Sequence, residues 1–240
     1  MKKERLDKVL ANLGYGSRKE IKSLAKTGII KIDGEIVKDS SHKFDPESSV
    51  IEVGEEVVRY RKYIYLMMNK PDGYISSTED CMHETVLDLL EPEDRVFEPF
   101  PLGRLDKDTE GLLVLSNDGQ LAHRILSPKK HVKKGYYAEV EGVVTEEDIE
   151  DFAEGVELED GYITMPAKLK ILESGEISKI ELEIYEGKYH QVKRMFESVG
   201  KRVVYLKRIY MGGLALDESL ELGEYRELTD EEVELLEIRD

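Results

Sequence analysis

The residues best equipped for chemistry lie in one short segment, Gly103-Arg104-Leu105-Asp106-Lys107-Asp108-Thr109-Glu110-Gly111. An arginine and an aspartate bracket one leucine in a polar, glycine-bounded loop that leads into the apolar run Leu112-Leu113-Val114-Leu115. A carboxylate held there could attack an electrophilic carbon or remove a proton. On residue types alone, Asp106 or Asp108 reads more readily as a turn residue that bonds its own backbone. Other chemistries find less support. The histidines (His42, His83, His123, His131 and His190) are scattered, and Cys81 is the single cysteine, so no zinc-ligand spacing exists. No glycine-rich phosphate loop of nucleotide-binding type occurs. Cys81 itself reads as an incidental loop residue, and a lone cysteine suits a reducing cytoplasm.

The elements that must position such a loop are readable from periodicity. Leu6, Val9, Leu10 and Leu13 give the stripe of a first helix, ended by Gly14. Ser17 with Glu20 predicts a capping box on a second helix, with Ile21, Leu24 and Ala25 as its apolar face and Gly28 at its end. Residues 29–32 predict a strand, Asp33-Gly34 a tight turn, and residues 35–37 the returning strand. Ser17-Arg18-Lys19 sets two cations beside free N–H groups at a helix start, a place for phosphates. Residues 54–62 read as a tether. Beyond them, residues 63–68 predict a strand stopped by the turn Asn69-Lys70-Pro71-Asp72-Gly73, and residues 85–90 a short helix. Further strands are predicted over 112–115, 136–140, 180–185 and 203–210. Helices are predicted through Leu121 and Ile125, along Val192, Met195, Phe196 and Val199, and after a second capping box at Thr229 and Glu232. Without strict βαβ order this is an α+β chain on a mixed or antiparallel sheet. The domains expected are 1–60, the small unit and tether, and 61–240.

The formal charge of −17 argues against a polyanionic partner until its distribution is read. Residues 1–62 hold 14 Lys or Arg against 11 Asp or Glu. Residues 187–208 hold seven bases against Glu197 alone. Residues 139–160 and 217–240 carry 11 acids each and read as solvated faces. A polyanion responds to the field within a Debye length, roughly 8 Å at physiological salt. A basic face on an acidic body is therefore compatible with RNA. No run approaches the roughly 18 apolar residues of a membrane helix, and Met1-Lys2-Lys3-Glu4-Arg5 leads into no signal-peptide core.

Residues 4–50, through Arg5-Leu6-Asp7, Gly16-Ser17-Arg18 and Ile32-Asp33-Gly34, resemble the alpha-L RNA-binding domain, a small ααββ unit. Gly103-Arg104-Leu105-Asp106 followed by Asp108-Thr109-Glu110-Gly111-Leu112 resembles the catalytic motif of pseudouridine synthases. Glu186-Gly187-Lys188-Tyr189-His190-Gln191-Val192-Lys193-Arg194-Met195 resembles their later basic motif. With Asn69-Lys70-Pro71 and Gly223-Glu224-Tyr225-Arg226 in the right order, the likeness spans essentially the whole chain. It is nearest the RsuA group, whose members modify one uridine of small-subunit ribosomal RNA.

The resemblance implies a catalytic domain on a mixed, largely antiparallel sheet, and an isomerase that breaks N1–C1′, turns the uracil and joins C5 to C1′. It implies Asp106 as the catalytic carboxylate and Lys193 as its basic partner. It implies Tyr136, or its neighbour Tyr137, as the ring that stacks on an extruded base. Arg104 would occupy the gap the base leaves; structurally it could instead brace the loop through Glu110. Arg5, Ser17, Arg18, Lys19, Lys188 and Arg194 are the expected RNA contacts. No cofactor and no metal are expected, nor a membrane partner; the expectation is a cytoplasmic monomer acting on 16S rRNA. A 23S target, or a non-catalytic ribosome-assembly factor on the same fold, are the alternatives. His123-Arg124-Ile125-Leu126-Ser127-Pro128 and Thr85-Val86-Leu87 look more like the small-subunit group. A pure binder would have no need of Asp106, Tyr136 and Lys193 together.

Overall fold

A computed structural model describes residues 3–58, 60–127 and 131–238. Arg59 of the expected tether and Pro128 of the small-subunit-like segment lie outside them. The chain forms two compact units. One comprises the residues up to Ile64 with Glu91–Pro99, the other Tyr65–Leu90 with the residues from Phe100 onward.

In the first unit, β1 (Glu4–Arg5) leads into α1 (Leu6–Asn12), and α2 (Arg18–Lys26) follows. The capping box forms: the Ser17 hydroxyl accepts from the Glu20 N–H at 3.4 Å, and the Glu20 carboxylate accepts the Ser17 N–H at 2.7 Å. Asp33 and Gly34, with φ of 52° and 83°, make the tight turn between β2 (Ile30–Ile32) and β3 (Glu35–Ile36). β4 (Lys43–Phe44) pairs with β1. The expected tether is corrected in part, because β5 (Ile51–Val53) and β6 (Glu56–Val58) form a second hairpin and extend the sheet to the order β3-β2-β5-β6. Ile51 and Val58 enter the core with Leu6, Leu10, Ile21 and Ile30. The charged residues between them, Glu52, Glu55 and Glu56, hid that alternation in the sequence. A short helix, α3 (Pro92–Arg95), completes this unit.

The second unit is built on a nine-stranded sheet. Its strands are β7 (Tyr65–Lys70), β8 (Phe100–Pro101), β9 (Glu110–Ser116), β10 (Lys134–Glu141), β11 (Lys168–Glu173), β12 (Ile177–Ile184), β13 (Arg202–Met211), β14 (Leu214–Ala215) and β15 (Tyr225–Glu227). The order is β11-β12-β10-β13-β9-β7-β15, with β8 beside β9 and β14 beside β13. Every pairing is antiparallel except β13 with β9, which is parallel through Lys207↔Glu110 and Arg208↔Gly111. The helices are α4 (Gly119–Leu126), α5 (Glu146–Glu154), α6 (Gln191–Ser198) and α7 (Asp230–Leu235). Thr229 caps α7 with Glu232 as its partner, as read from the sequence.

Two local expectations change, and one element adds to the sequence reading. β7 runs past Met68 to Lys70, so Asn69 and Lys70 belong to the sheet and not to the turn. The short helix expected over 85–90 is one 3-10 turn, Val86–Leu89, whose Thr85 donates to Asp88. The acidic run 139–160 contains α5, which buries Phe152 and Asp148 and turns its other acids outward. Among the described residues no helix is long and apolar enough to cross a membrane.

Candidate active site

The loop over residues 103–109 is held by backbone and buried side chains. The Leu102 N–H donates to the Val114 carbonyl at 2.7 Å as the chain leaves β8. Leu105 is buried, and its N–H and carbonyl both engage the Ser76 hydroxyl at 3.1 Å. The Thr109 N–H closes onto the Asp106 carbonyl at 3.1 Å. Beneath this turn lies Lys70, fully buried, whose ammonium donates to the carbonyls of Pro71 (3.0 Å), Lys107 (3.0 Å) and Thr109 (2.9 Å). Burial pushes Lys70 down to about 8, against the upward pull of Asp72, Asp108, Asp106 and Glu110. At the root of the loop Gly111 has φ of 95°, and a Cβ there would lie 2.3 Å from the Arg208 carbonyl. Only glycine fits that close approach.

Asp106 emerges from the turn with its side chain 26% exposed. Its Oδ2 lies 3.4 Å from the Lys193 Nζ, and its Oδ1 lies 3.7 Å from the His190 Nε2. Lys193, in the first turn of α6, also pairs with Asp108 at 2.5 Å. Burial alone would raise Asp108, but the Lys193 hydrogen bond and charge outweigh it and hold that carboxyl below its ordinary value. His190 precedes α6 in the left-handed region, with φ of 49° and ψ of 33°. A solvent-reachable carboxylate flanked by an ammonium and an imidazole can act on an electrophilic carbon or on a proton.

The two tyrosines of β10 separate cleanly. Tyr136 is buried and sits opposite Arg208 on β13 and Leu182 on β12. Arg208, also buried, donates through Nε to the Leu112 carbonyl at 2.8 Å and passes 3.8 Å from where a Gly103 Cβ would sit. Tyr136 thus shares a sheet face with a side chain that reaches the loop. Tyr137 faces the other way, with its hydroxyl donating to Glu139 and its ring edge-on to Tyr205. Arg104 is exposed and has no ion pair among the described residues. Glu110, its alternative partner, accepts from the Tyr205 hydroxyl at 2.7 Å.

The basic run 187–208 is less free than its composition suggested. Arg194 pairs with Asp160 at 2.6 Å, Lys201 with Asp148 at 2.6 Å and Arg202 with Glu141 at 2.6 Å. Arg208 is buried, and Lys188 is exposed with its ammonium 4.5 Å from the Tyr162 ring. A linear count misses these partners because the acids come from distant segments. In the first unit Arg18 and Lys19 are exposed, whereas the Arg5 guanidinium grips Asp7 at 2.6 Å and the Ser17 hydroxyl is engaged by Glu20. Sequence reasoning missed Lys70 and His190 as parts of this constellation and weighed Asp108 only as a turn residue. For Lys70 a signal existed, since a lysine directly after an apolar strand and before proline can stay in the sheet. For His190 no local signal existed.

Comparison with known proteins matches the chain to a family. The RNA pseudouridylate synthase model matches residues 64–198, and the S4 domain model matches residues 4–50. An uncharacterized RNA pseudouridine synthase of Bacillus subtilis is 57% identical over 234 residues, covering 97% of this chain and 98% of that protein. The ribosomal small subunit pseudouridine synthase A of Escherichia coli is 41% identical over 230 residues, covering 95% of this chain and 98% of that protein. A solved structure described as a pseudouridylate synthase superposes with a TM-score of 0.68 at 40% identity, covering 97% of this chain and 99% of that one. An S4 unit followed by a mixed, mostly antiparallel sheet, with relatives matching along the full length, leaves one assignment: this chain belongs to the RNA pseudouridylate synthase family, in its RsuA group, and is an isomerase.

Proposed function

We propose that this enzyme converts one uridine of 16S rRNA to pseudouridine in the cytoplasm, as a monomer without metal or cofactor, using Asp106 as the catalytic carboxylate. The observation that carries the reading is Asp106 within 3.4 Å of Lys193, two residues far apart in the chain, on a fold with a 41%-identical small-subunit relative. The carboxylate either attacks C1′ or removes a ribose proton. N1–C1′ breaks, the uracil turns, C5 bonds to C1′, and the hydrogen lost from C5 is balanced by one gained at N1. Tyr136 stacks on the extruded base, and the uncommitted Arg104 fills its place in the RNA.

In this reading the chain divides near residue 60, with 1–60 for RNA recognition and 61–240 for catalysis. Arg18, Lys19 and Lys188 are exposed cations for phosphate, and Ser17 lies beside the first two. Arg5 and Arg194 reach RNA by exchanging their carboxylate partners for phosphate. Mapping pseudouridines in rRNA from a strain lacking this gene is the test. Loss of one 16S site, restored by the intact gene, is expected. Loss confined to 23S rRNA would move the target, and an unchanged map would favour an assembly factor. For the N-terminal unit, Arg18→Ala with Lys19→Ala is expected to reduce the slope of log affinity against log salt by about 1.5, from two lost phosphate contacts. An unchanged slope in a salt titration would remove that unit from RNA binding.

A further inference from the structure

The Gly187–His190 loop between β12 and α6 carries a tyrosine that the reaction above does not use. Tyr189 is 76% exposed, and among the described large hydrophobic side chains only Met82, at 82%, is more so. It is nevertheless ordered against a neighbour: its ring stacks on His190 with centroids 3.8 Å apart and planes 17° from parallel. The left-handed backbone of His190 belongs to this arrangement, and non-glycine residues seldom adopt it. The imidazole also meets the site, with Nε2 3.7 Å from Asp106. An exposed aromatic ring therefore stands on the residue that contacts the carboxylate, in a loop that also bears exposed Lys188.

Neither ring of this pair buries apolar surface in a core, so the stack does little for the fold. Its spacing and tilt are close to those of stacked bases, which rise about 3.4 Å per step in a strand. Exposed aromatic rings beside cations bind unpaired bases because every base presents a π face. Building on the active-site reading, we propose that the outer face of Tyr189 is a stacking site for an unpaired nucleobase next to the target uridine. His190 is the fixed second ring behind it. The occupant is RNA and not a protein side chain, because the nucleotides flanking an extruded uridine must pass close to Asp106.

The test uses the full-length enzyme and transcripts of the small-subunit rRNA segment that holds the target. In one set of transcripts the nucleotides flanking the uridine are replaced singly by abasic residues. Tyr189→Leu is expected to raise Kd and KM about tenfold, with the loss carried by KM, and Tyr189→Trp to restore them. One abasic position should weaken binding to the parent enzyme by a similar factor and cost Tyr189→Leu nothing more. Parent-like affinity for Tyr189→Leu, or abasic losses that multiply with the substitution at every position, would overturn the proposal. So would intact affinity for naked RNA with activity lost only on assembling particles, which would put a protein on that face. Since Kd is measured without turnover, an active Asp106→Asn enzyme would defeat the active-site reading and leave the stacking result to stand or fall separately.

Discussion

Asp106→Asn is expected to make no measurable pseudouridine while keeping fold and RNA affinity. The exchange preserves shape and removes only the charge. Lys193 does not lose its nearest partner, because Asp108 lies closer, at 2.5 Å against 3.4 Å. A half-buried pair that water still reaches, with Lys193 kept matched by Asp108, contributes on the order of 1 kcal/mol, so the denaturation midpoint should barely move. Turnover should fall by about 10⁴-fold or more, the range for losing a base or a nucleophile. Release of tritium from C5-labelled uridine in an rRNA transcript reads the reaction directly, since C5 exchanges hydrogen for C1′. Retained activity in a variant that binds normally would end the assignment of Asp106.

Lys70→Met is expected to cost both stability and rate although Lys70 touches no RNA. Its ammonium satisfies three carbonyls, two of them in the turn that carries Asp106. Methionine fills the space but leaves the Pro71 and Thr109 carbonyls short of a donor, whereas Lys107 still accepts from Gly73 at 3.0 Å. Against the relief of no longer burying a charge, a net loss of about 2–4 kcal/mol follows, read from a urea midpoint. With the turn free to shift by about 1 Å, kcat should drop on the order of 10²-fold. A variant as stable and as fast as the parent would remove Lys70 from the account.

The same lysine gives an unusual pH signature. It is charged below about 8 when folded, against an ordinary value of 10.5. Between those values the unfolded chain binds more protons, so this group makes stability rise with pH. Over that interval the turn loses its charged brace, and the rate should fall while the fold grows firmer. Lys134, which burial and Arg208 also depress to about 8, calls for a control. The descending limb should persist in Lys134→Met.

What could be read from the residues was what neighbours in sequence decide. The capping boxes at Ser17 and Thr229 need only a hydroxyl and a glutamate three positions on, and both formed. The buried face of β12 was plain from Ile180, Leu182 and Ile184. The β5–β6 hairpin and α5 were lost among acids because charge masks periodicity when the outward face is nearly all glutamate and aspartate. Lys193 and Asp106 were named from a motif, but their meeting depends on the packing of α6 and on the parallel pairing of β13 with β9. His190 joins them through a backbone conformation that no local pattern announces. The ion pairs of Arg194, Lys201 and Arg202 were equally invisible, since each partner comes from a remote segment.

Among the described residues two ladder pairs, Lys207↔Glu110 and Arg208↔Gly111, set β13 against β9, and they unite two otherwise antiparallel ribbons. Asp106 hangs from one ribbon, and Lys193 rides on a helix docked to the other. The separation of that charge pair is therefore set at the seam and not in the outer hairpins of either ribbon. Gly111 is that seam's narrowest stitch.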